Sequence, residues 1–266
     1  MPYLSKILLY PIKSLDGMEV SQATVLPSGA LAGDREFALV DEQGRWVNGK
    51  RTELIHAIRA TYDLPARTVT LWVEGKIAPQ IFHLDEARSR LETWFSEYFG
   101  YPVSLQQNLE MGFPDDTSTP GPTVISVASL ETVAGWFPGM SLEECRQRFR
   151  ANLEVSDAPA FWEDGLYDDG SAELVRVQIG EVTLLSHHPC KRCIVPTRHP
   201  QTGDRTPQFQ QIFSDRRRTT LPANALVERF TPLYRLTLNT QVPSTEAGKT
   251  LAVGDQIQPS QFQPSQ

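Results

Sequence analysis

The sequence predicts a mixed, mainly β protein: an N-terminal β-barrel-like domain with a helix, followed by a second domain of strands and short helices. Short β-rich pieces separated by turn residues fill the chain up to Gly75 and return after Arg150, while the helical patterns between them are brief. A barrel or strongly curled sheet is the natural closure for so many short strands. With 266 residues, 40% of them hydrophobic, the chain can bury a core without disulfide bonds.

The first domain is expected to span residues 1–118. Its predicted strands cover residues 4–10, 20–26, 37–40, 45–47 and 68–73. A helix follows, because apolar residues recur at three- and four-residue steps and Gly100 can end it. These residues are Leu84, Ala87, Leu91, Trp94, Phe95 and Tyr98. The stretch 113–122, rich in Pro, Asp, Ser, Thr and Gly, is typical of a linker or exposed loop and marks the domain boundary.

The second domain is expected to span residues 119–258. Residues 129–137 predict a short helix, and Ser141 followed by Glu144 forms a capping box that begins another. Strands are predicted over residues 150–155, 174–179, 182–185, 234–238 and 251–257. Residues 259–266, rich in Pro, Gln and Ser, are expected to form a flexible tail.

Composition and charge exclude several classes of function. The net charge of -7 argues against nucleic-acid binding, and no apolar run approaches the roughly 20 residues that cross a bilayer. The N-terminus lacks the basic flank, apolar stretch and cleavage site of a signal peptide. Three cysteines do not suggest a disulfide framework. We therefore expect a cytoplasmic protein that binds neither nucleic acid nor a membrane.

A basic segment interrupts this acidic chain. Residues 187–218 contain seven cations and two carboxylates, a net charge of +5, so the remainder carries -12. A basic island around two cysteines suggests a compact anionic ligand, because the surrounding surface would repel a nucleic-acid duplex. The alternative for Arg216, Arg217 and Arg218 is a solvated loop.

Cys190 and Cys193 form a Cys-x-x-Cys pair within this segment, and several interpretations are open. Such a pair is a dithiol redox site in thioredoxin-like proteins, where it begins a helix. Pro196, Pro200 and Gly203 follow closely and disfavour a helix, which weakens that interpretation. Two unreactive cysteines in a turn are a second possibility.

Zinc is a third interpretation, since imidazole and thiolate are ligands that zinc prefers. The candidate ligands are His187, His188, Cys190, Cys193 and His199. Lys191 and Arg192, inside the pair, would repel a divalent cation but would stabilise a thiolate or an anionic cofactor. In the fourth interpretation, one thiolate ligates a soft metal whose anionic carrier is held by these cations. This last interpretation explains the cysteines and the basic segment together.

Three parts of the chain resemble MOSC-domain proteins, the group that includes the C-terminal domain of molybdenum cofactor sulfurases and the mitochondrial amidoxime-reducing components. The first part is PCKRCIVPT at 189–197, followed by PQTG at 200–203. The second, YPIKSLDG at 10–17 and GDREFALV at 33–40, resembles the N-terminal β-barrel domain that accompanies MOSC domains. The third is RFRANL at 148–153. The resemblance implies that residues 119–258 form a MOSC β-barrel domain with short helices.

The resemblance also implies the residues of a site. Cys193 would ligate molybdenum through its thiolate and act in catalysis, with Cys190 as a less constant neighbour. The implied contacts to the pterin and phosphate of the molybdenum cofactor are Lys13, Ser14, Arg35, Arg150, Asn152, Lys191 and Arg192. Ser126 is a further candidate, since a serine before a helix can either bind a ligand or cap the helix. Judged from the residues alone, Lys13 and Arg35 could instead form surface ion pairs with Asp16 or Asp34.

One position departs from the family. Where members often have Thr-x-Asp-Pro, this chain has Thr197, Arg198, His199 and Pro200. An imidazole in place of a carboxylate near the metal would change the local charge and the capacity for proton transfer. We therefore expect an effect on substrate preference or rate, and little effect on cofactor binding.

The implied activity is a molybdenum-dependent reduction of small N-hydroxylated or otherwise N-oxygenated compounds. Electrons would come from a separate flavin or iron–sulfur protein, because no cysteine cluster follows residue 193. The alternatives are a sulfur carrier or a module for sulfuration or delivery of the cofactor and, secondly, a zinc-stabilised interaction module. Pyridoxal phosphate is associated with the family through a desulfurase domain for which this chain has no room, so we do not expect it to bind here.

Overall fold

The computed structural model describes residues 1–166, 174–222 and 227–259, and in these ranges the protein is mainly β, as predicted. The strands are β1 (Tyr3–Leu9), β2 (Met18–Val20), β3 (Gln22–Thr24), β4 (Phe37–Asp41), β5 (Ile58–Asp63), β6 (Thr68–Val73), β7 (Ile77–His83), β8 (Val103–Gln107), β9 (Val124–Ser126), β10 (Leu153–Ser156), β11 (Arg176–Ile179), β12 (Val182–Lys191), β13 (Arg235–Gln241), β14 (Thr250–Ala252) and β15 (Ile257–Pro259). The α-helices are α1 (Arg88–Phe99), α2 (Val127–Ala134), α3 (Leu142–Phe149) and α4 (Phe209–Arg218). Residues 260–266 of the expected tail lie outside the described residues.

The largest sheet has eight strands in the order β15-β11-β12-β13-β9-β10-β1-β2. Its neighbouring strands are antiparallel, except that β9 and β10 are parallel. Its core contains apolar residues from both ends of the chain, including Leu4 and Ile257. β1 pairs with β10, with Ile7 opposite Leu153. The proposed division between residues 118 and 119 therefore runs through one continuous sheet.

A second hydrophobic core lies between the β5-β6-β7 meander, the β4-β8 pair and α1. α1 buries Leu91, Trp94, Phe95 and Phe99, which lie on one face because of their three- and four-residue spacing. The helix ends at Gly100, whose φ of 77° is in the left-handed region that glycine adopts readily. The predicted helix and its glycine end are confirmed, although two of the residues predicted on it, Leu84 and Ala87, precede the helix.

The remaining helices surround an aromatic core. The rings of Phe137 and Phe209 stack with their centroids 4.2 Å apart, and Phe213 is fully buried beside them. The predicted serine cap begins α3, because Oγ of Ser141 accepts a hydrogen bond from the Glu144 N–H at 3.0 Å. The Glu144 carboxylate pairs with Arg148 and does not complete the predicted capping box. The end of α3 lies beside the cysteine segment, because Arg148 donates a hydrogen bond to the Pro196 carbonyl.

Parts of the local structure differ from the predictions. Residues 45–47 form no strand, and an isolated bridge joins Trp46 to Val40 after a tight turn at Asp41. Arg216, Arg217 and Arg218 do not form a solvated loop but end α4, which the sequence pattern did not reveal. Arg217 is 1% exposed, and its Nη2 donates a hydrogen bond to Asp164 at 2.6 Å. Strands β5, β7, β8 and β9 were not predicted, and the single strand predicted over residues 251–257 is replaced by the separate strands β14 and β15.

Membrane insertion through a helix has no support in the described ranges. None of the helices there is both long enough and apolar enough to cross a bilayer.

Candidate functional site

A cavity of about 590 Å³ lies where the N-terminal segments meet the cysteine segment. Its lining includes ten cationic and four acidic side chains, although the whole chain carries a charge of -7. The cations are Lys13, Arg35, Lys50, Arg59, Arg146, Arg148, Arg150, Lys191, Arg192 and Arg198. This excess of positive charge in an acidic protein favours an anionic ligand. From the basic segment 187–218, three cations reach the cavity: Lys191, Arg192 and Arg198.

Both cysteines of the Cys-x-x-Cys pair line the cavity and are half-buried. β12 carries Cys190 near its end, and Cys193 follows in the bend before a short 3-10 helix, Val195–Thr197. Arg192 donates a hydrogen bond from Nη1 to Sγ of Cys190 at 3.5 Å. Within the described part of the chain, Sγ of Cys193 makes no hydrogen bond. The Cys193 thiol is therefore available to a ligand in the cavity.

The third cysteine, Cys145, lies elsewhere. It is fully buried in the aromatic core, and this burial raises the pKa of its thiol to about 12. Since the thiolate is the reactive form, Cys145 is inert at neutral pH.

The predicted zinc ligands do not form a ligand set. Among the described residues, no group of three or more His, Cys, Asp and Glu side chains could hold a metal ion. His188 instead pairs with Asp116 at 3.1 Å. His199 accepts a hydrogen bond from the Gln201 N–H at 3.3 Å and does not line the cavity. The zinc-stabilised module thus has no support in this part of the chain.

Arg192 is fixed beside the two thiols. Its Nη2 donates a hydrogen bond to the carbonyl of Phe149 at 2.6 Å, and its guanidinium lies 5.4 Å from the centroid of that ring. Burial alone would lower its pKa, but the thiol groups of Cys190 and Cys193 raise it above its ordinary value. Its Nε is buried without a hydrogen-bond partner. Lys191, in contrast, is exposed at the cavity edge.

Tyr10 lies between two arginines of the predicted site. The guanidinium of Arg150 is 4.0 Å from the centroid of the Tyr10 ring, and that of Arg35 is 5.4 Å away. The Tyr10 hydroxyl donates a hydrogen bond to the Ala151 carbonyl at 3.2 Å, and burial raises its pKa to about 12. The sequence motif contained Tyr10, but its role as the packing surface for both arginines became visible only in the structure.

Arg35 and Arg150 differ in their charge partners. Arg35 forms an ion pair with Asp34, which is one of the two pairings that the sequence allowed. Arg150 donates a hydrogen bond from Nη2 to the Leu15 carbonyl at 2.7 Å and has no ion pair among the described residues. Burial, followed by the charge of Arg35, lowers the pKa of Arg150 below its ordinary value. Arg150 therefore carries a positive charge that a bound anion could compensate.

Three predicted site residues adopt the left-handed backbone region that non-glycine residues rarely occupy. Their φ angles are 74° at Ser14, 49° at Arg35 and 53° at Arg150. Each such conformation costs about 1–3 kcal/mol, and these conformations concentrate at ligand sites. All three residues line the cavity.

Lys13 lies beside an acidic residue that sequence reasoning missed. Its Nζ is 2.8 Å from Oδ1 of Asp115 and donates a hydrogen bond to the Phe113 carbonyl at 2.7 Å. Lys50 is 3.3 Å from the same carboxylate oxygen. Burial would raise the pKa of Asp115, but Lys13, Lys50 and Arg35 hold it well below its ordinary value. The stretch 113–122, expected as a linker or exposed loop, thus forms part of the cavity wall.

Asn152 connects the two halves of the cavity. Its Nδ2 donates a hydrogen bond to the Leu8 carbonyl at 3.0 Å, while its Oδ1 accepts hydrogen bonds from Thr123 and, at 3.4 Å, from Arg35. The side chain is almost fully buried. Because protein groups occupy its amide, Asn152 positions Arg35 and the first strand at the cavity.

Ser126, for which the sequence left ligand binding and helix capping open, does not line the cavity with the other predicted residues. It caps α2, accepting a hydrogen bond from the Ser129 N–H at 3.1 Å, and its Oγ donates to the Pro159 carbonyl at 3.0 Å. It is fully buried outside the cavity lining. Helix capping accounts for the position and the hydrogen bonds of this serine.

Four further cavity residues were not among the predicted site residues. His56 and Arg59 belong to the first part of the chain, and Arg198 follows Cys193 by five positions. Arg148 donates a hydrogen bond to the Pro196 carbonyl at 2.8 Å and so attaches α3 to the cysteine segment. Arg148 lies in a recognised motif and Arg198 in the basic segment, whereas His56 and Arg59 are single residues whose neighbours in the cavity are distant in the sequence.

Comparison with known families identifies two matching regions. A sequence model of the MOSC N-terminal beta barrel domain matches residues 1–97, and a model of the MOSC domain matches residues 123–258.

Curated proteins show low but extended similarity. The chain is 24% identical to molybdenum cofactor sulfurase of Oryza sativa subsp. japonica over 97% of its own length, and it spans 35% of that protein. It is also 24% identical to mitochondrial amidoxime reducing component 2 of Bos taurus, over 96% of this chain and 82% of the relative. The sulfurase of Danio rerio is 26% identical over 80% of this chain and 30% of the relative. The chain therefore spans about a third of the sulfurases that it matches.

Proposed function

Since the chain belongs to the MOSC family, we propose that it binds the molybdenum cofactor and reduces small N-hydroxylated or N-oxygenated compounds. The observation that carries this proposal is one cavity lined by Cys193, whose thiol is free, and by ten cationic side chains. Similarity to the bovine amidoxime reducing component over most of both chains supports the choice of reaction.

The residues present fit the proposed cofactor. A cavity of about 590 Å³ lies within the range of about 300–1,000 Å³ that small-molecule sites occupy. The molybdenum cofactor combines a soft metal with an anionic pterin phosphate, which suits a thiolate beside guanidinium and ammonium groups. The buried Nε of Arg192 has no protein partner, and Arg150 has no ion pair among the described residues. Both groups could bind an anion.

Each residue would have a distinct role. Cys193 would hold the metal through its thiolate, while Lys13, Ser14, Arg35, Arg150, Lys191 and Arg192 would bind the pterin and its phosphate. Asn152 would orient Arg35, as its hydrogen bond at 3.4 Å indicates. The hydrogen bonds of Arg192 to Phe149 and of Arg148 to Pro196 would hold the cysteine segment in place.

The cofactor, when bound, would supply two-electron transfer to the substrate's N–O bond. Reduction of an N-hydroxy compound consumes two electrons and two protons and releases water. Three cysteines cannot ligate an iron–sulfur cluster of the common four-cysteine type and also serve the proposed site. We therefore propose an external flavin or iron–sulfur protein as the electron donor.

Metal and pterin analysis of the purified protein tests the cofactor. We expect about one molybdenum and one pterin per chain, with molybdenum lost in Cys193→Ala. The loaded protein should then reduce benzamidoxime to benzamidine with a chemical electron donor. Stoichiometric zinc without pterin would contradict the cofactor proposal, and a loaded protein without turnover would contradict the reductase.

A second candidate is a carrier that sulfurates or delivers the cofactor. The match to the rice molybdenum cofactor sulfurase over 97% of this chain favours it. In that case Cys193 would carry a persulfide, which mass spectrometry of the purified protein would detect as added sulfur that thiol reductants remove. A persulfide at Cys193, together with no turnover of benzamidoxime, would support the carrier function against the reductase function.

A further inference from the structure

One wall of the cavity consists of residues that have no role in the proposed cofactor site. It consists of His56, Arg59 and Arg198, which we call the His56 wall. His56 lies in a 3-10 helix, Leu54–Ala57, and Arg59 lies in β5. Arg198 follows the cysteine segment, so this wall forms where the N-terminal part contacts the segment after Cys193.

Backbone contacts hold the His56 wall in position. Arg59 donates hydrogen bonds from Nη2 to the carbonyls of His56 and Pro200, the latter at 3.2 Å. Arg198 donates a hydrogen bond from Nη1 to the Gly203 carbonyl at 2.9 Å. A Cβ built on Gly49 would lie 2.8 Å from Nε2 of His56, so the imidazole packs directly against this glycine. The wall is therefore a preformed surface.

Each residue of the His56 wall has a buried nitrogen without a hydrogen-bond partner. These atoms are Nε2 of His56, Nε of Arg59 and Nε of Arg198. His56 is 9% exposed and Arg198 is 6% exposed. Unpaired buried polar groups cost about 1–3 kcal/mol each, and they are rare in folded proteins unless a ligand or water completes them. Three such atoms behind one cavity wall show that the protein alone satisfies the polar groups of this wall incompletely.

The electrostatic environment of the His56 wall favours an anion. Burial, followed by the charges of Arg198, Arg150 and Arg59, lowers the pKa of His56 to about 4. The imidazole is thus neutral at physiological pH and can donate a hydrogen bond. Asp16 pairs with Arg59 at 3.2 Å, and Glu53, whose side chain is 69% exposed, pairs with Arg198 at 3.1 Å. Three arginines act on His56, and only two carboxylates, Asp16 and Glu53, oppose them. The electrostatic potential at His56 therefore stays positive.

We infer that the His56 wall is a second anion subsite of the cavity and that it binds the carboxylate of an N-oxygenated substrate. Guanidinium groups recognise planar carboxylates through paired N–H donors, and the neutral imidazole adds a third donor. This inference rests on the proposed function, because it assigns the substrate class of the same cavity. It predicts that anionic N-hydroxy compounds are better substrates than neutral ones.

The test compares two substrates with the same reacting group, benzamidoxime and 4-carboxybenzamidoxime, in the loaded full-length protein. We expect kcat/KM for the carboxylate to be at least tenfold higher, mainly through KM. In Arg198→Met and His56→Leu this ratio should fall towards one, and His56→Gln, which keeps a donor, should restore part of it. Arg176→Met, at an exposed arginine outside the cavity, is the matched control and should keep the full ratio.

A binding measurement separates this inference from the proposed function. Titration of the protein with 4-carboxybenzamidoxime, followed by the ¹⁵N signal of the His56 imidazole, needs no turnover. The signal is assigned as the one that His56→Gln lacks. We expect it to move with the carboxylate probe and not with benzamidoxime. Equal kcat/KM values for both substrates, or an imidazole signal that neither probe moves, would overturn the subsite while benzamidoxime reduction could still stand.

Folding of the variants is checked by circular dichroism and molybdenum content. If Arg198→Met fails to fold, the ratio of kcat/KM values in His56→Leu and in His56→Gln still tests the subsite. A ratio that stays high in both His56 variants and in Arg198→Met would contradict the inference.

Discussion

The guanidinium carbon of Arg150 lies 4.0 Å from the centroid of the Tyr10 ring. Tyr10 follows β1 and Arg150 ends α3, so the contact joins segments far apart in the sequence at the cavity wall. The face of the aromatic ring stabilises a cation that has no ion pair among the described residues. This contact positions the Arg150 guanidinium at the cavity wall, where it can bind an anionic ligand.

Arg150→Lys should lower the molybdenum and pterin content severalfold. An ammonium group cannot keep the hydrogen bond to the Leu15 carbonyl and the planar contact with Tyr10 together. Metal analysis and pterin fluorescence measure the content. Arg90→Lys is the control, because Arg90 lies 5.6 Å over the ring of Phe82 outside this cavity. Equal content in Arg150→Lys and the unmodified protein would refute the assigned role.

Cys190→Ala should keep at least half of the molybdenum, whereas Cys193→Ala should lose nearly all of it. The Cys190 sulfur already accepts a hydrogen bond from Arg192, while that of Cys193 makes none in the described structure. The molybdenum content per chain after purification distinguishes ligation by Cys193 alone from ligation by both cysteines. Equal losses in both variants would indicate a two-cysteine site and contradict the proposal that Cys193 alone ligates the metal.

Asp115→Asn should bind anions more tightly. The Asp115 carboxylate lies 2.8 Å from Lys13 and 3.3 Å from Lys50, so it competes with a bound phosphate for both ammonium groups. Calorimetric titration of the cofactor-free protein with pyrophosphate should give a severalfold lower Kd for the variant. Asp204→Asn, at an exposed site outside the cavity, should leave the Kd unchanged. Weaker binding in Asp115→Asn would show that the carboxylate organises the site instead of competing.

Glu163 should make the protein less stable as the pH rises from about 4.5 to about 7. Burial, with a smaller effect from Asp164, raises the pKa of Glu163 from 4.5 to about 7. Between these values the native state holds a proton that the unfolded state has lost, so the free energy of unfolding falls with rising pH and then levels off.

Glu163→Gln removes this titration but keeps an oxygen for the hydrogen bonds from Ser126 and Ser129. The variant should therefore be more stable at pH 8, by on the order of 1–3 kcal/mol, and nearly equal at pH 4.5. Urea unfolding at several pH values measures the difference. The same pH dependence in both proteins would exclude Glu163 as its source.

Gly49→Ala should destabilise the protein by about 1–3 kcal/mol, because overpacking forces neighbouring groups to move. The added Cβ would lie 2.8 Å from Nε2 of His56 and 3.3 Å from Cγ2 of Val195. Thermal unfolding measures the loss. Gly135→Ala is the control, since its added Cβ would approach no atom closer than 3.4 Å and its φ of -63° suits alanine. A loss of stability no greater than that of the control would mean that the residues of the His56 wall can move at little cost to accommodate the added Cβ.

Local sequence patterns predicted the features that depend on neighbouring residues. The spacing of Leu91, Trp94 and Phe95 predicted α1, and Ser141 with Glu144 predicted the start of α3. Ser126 shows the limit of such patterns, because the same serine can cap a helix or bind a ligand, and only its burial outside the cavity decided.

Long-range contacts escaped prediction. Asp115 lies in a stretch whose composition is typical of a linker, and its ion pair with Lys13 depends on how the chain folds back. No motif marks His56, and it lines the same cavity as Arg198 because the N-terminal segment packs against the segment after Cys193. The periodicity of a sequence carries no information on contacts between residues that are distant in that sequence.

The sequence by itself determined the mainly β class, the family resemblance and the candidate residues, because motifs and periodicity are properties of neighbouring positions. The tertiary structure alone decided that Lys13, Arg35, Arg150, Arg192 and Cys193 line one cavity. It also decided that Arg217 is buried instead of solvated, through its ion pair with Asp164. The pairing of β1 with β10 brings both ends of the chain into one sheet, and no local pattern specifies that pairing.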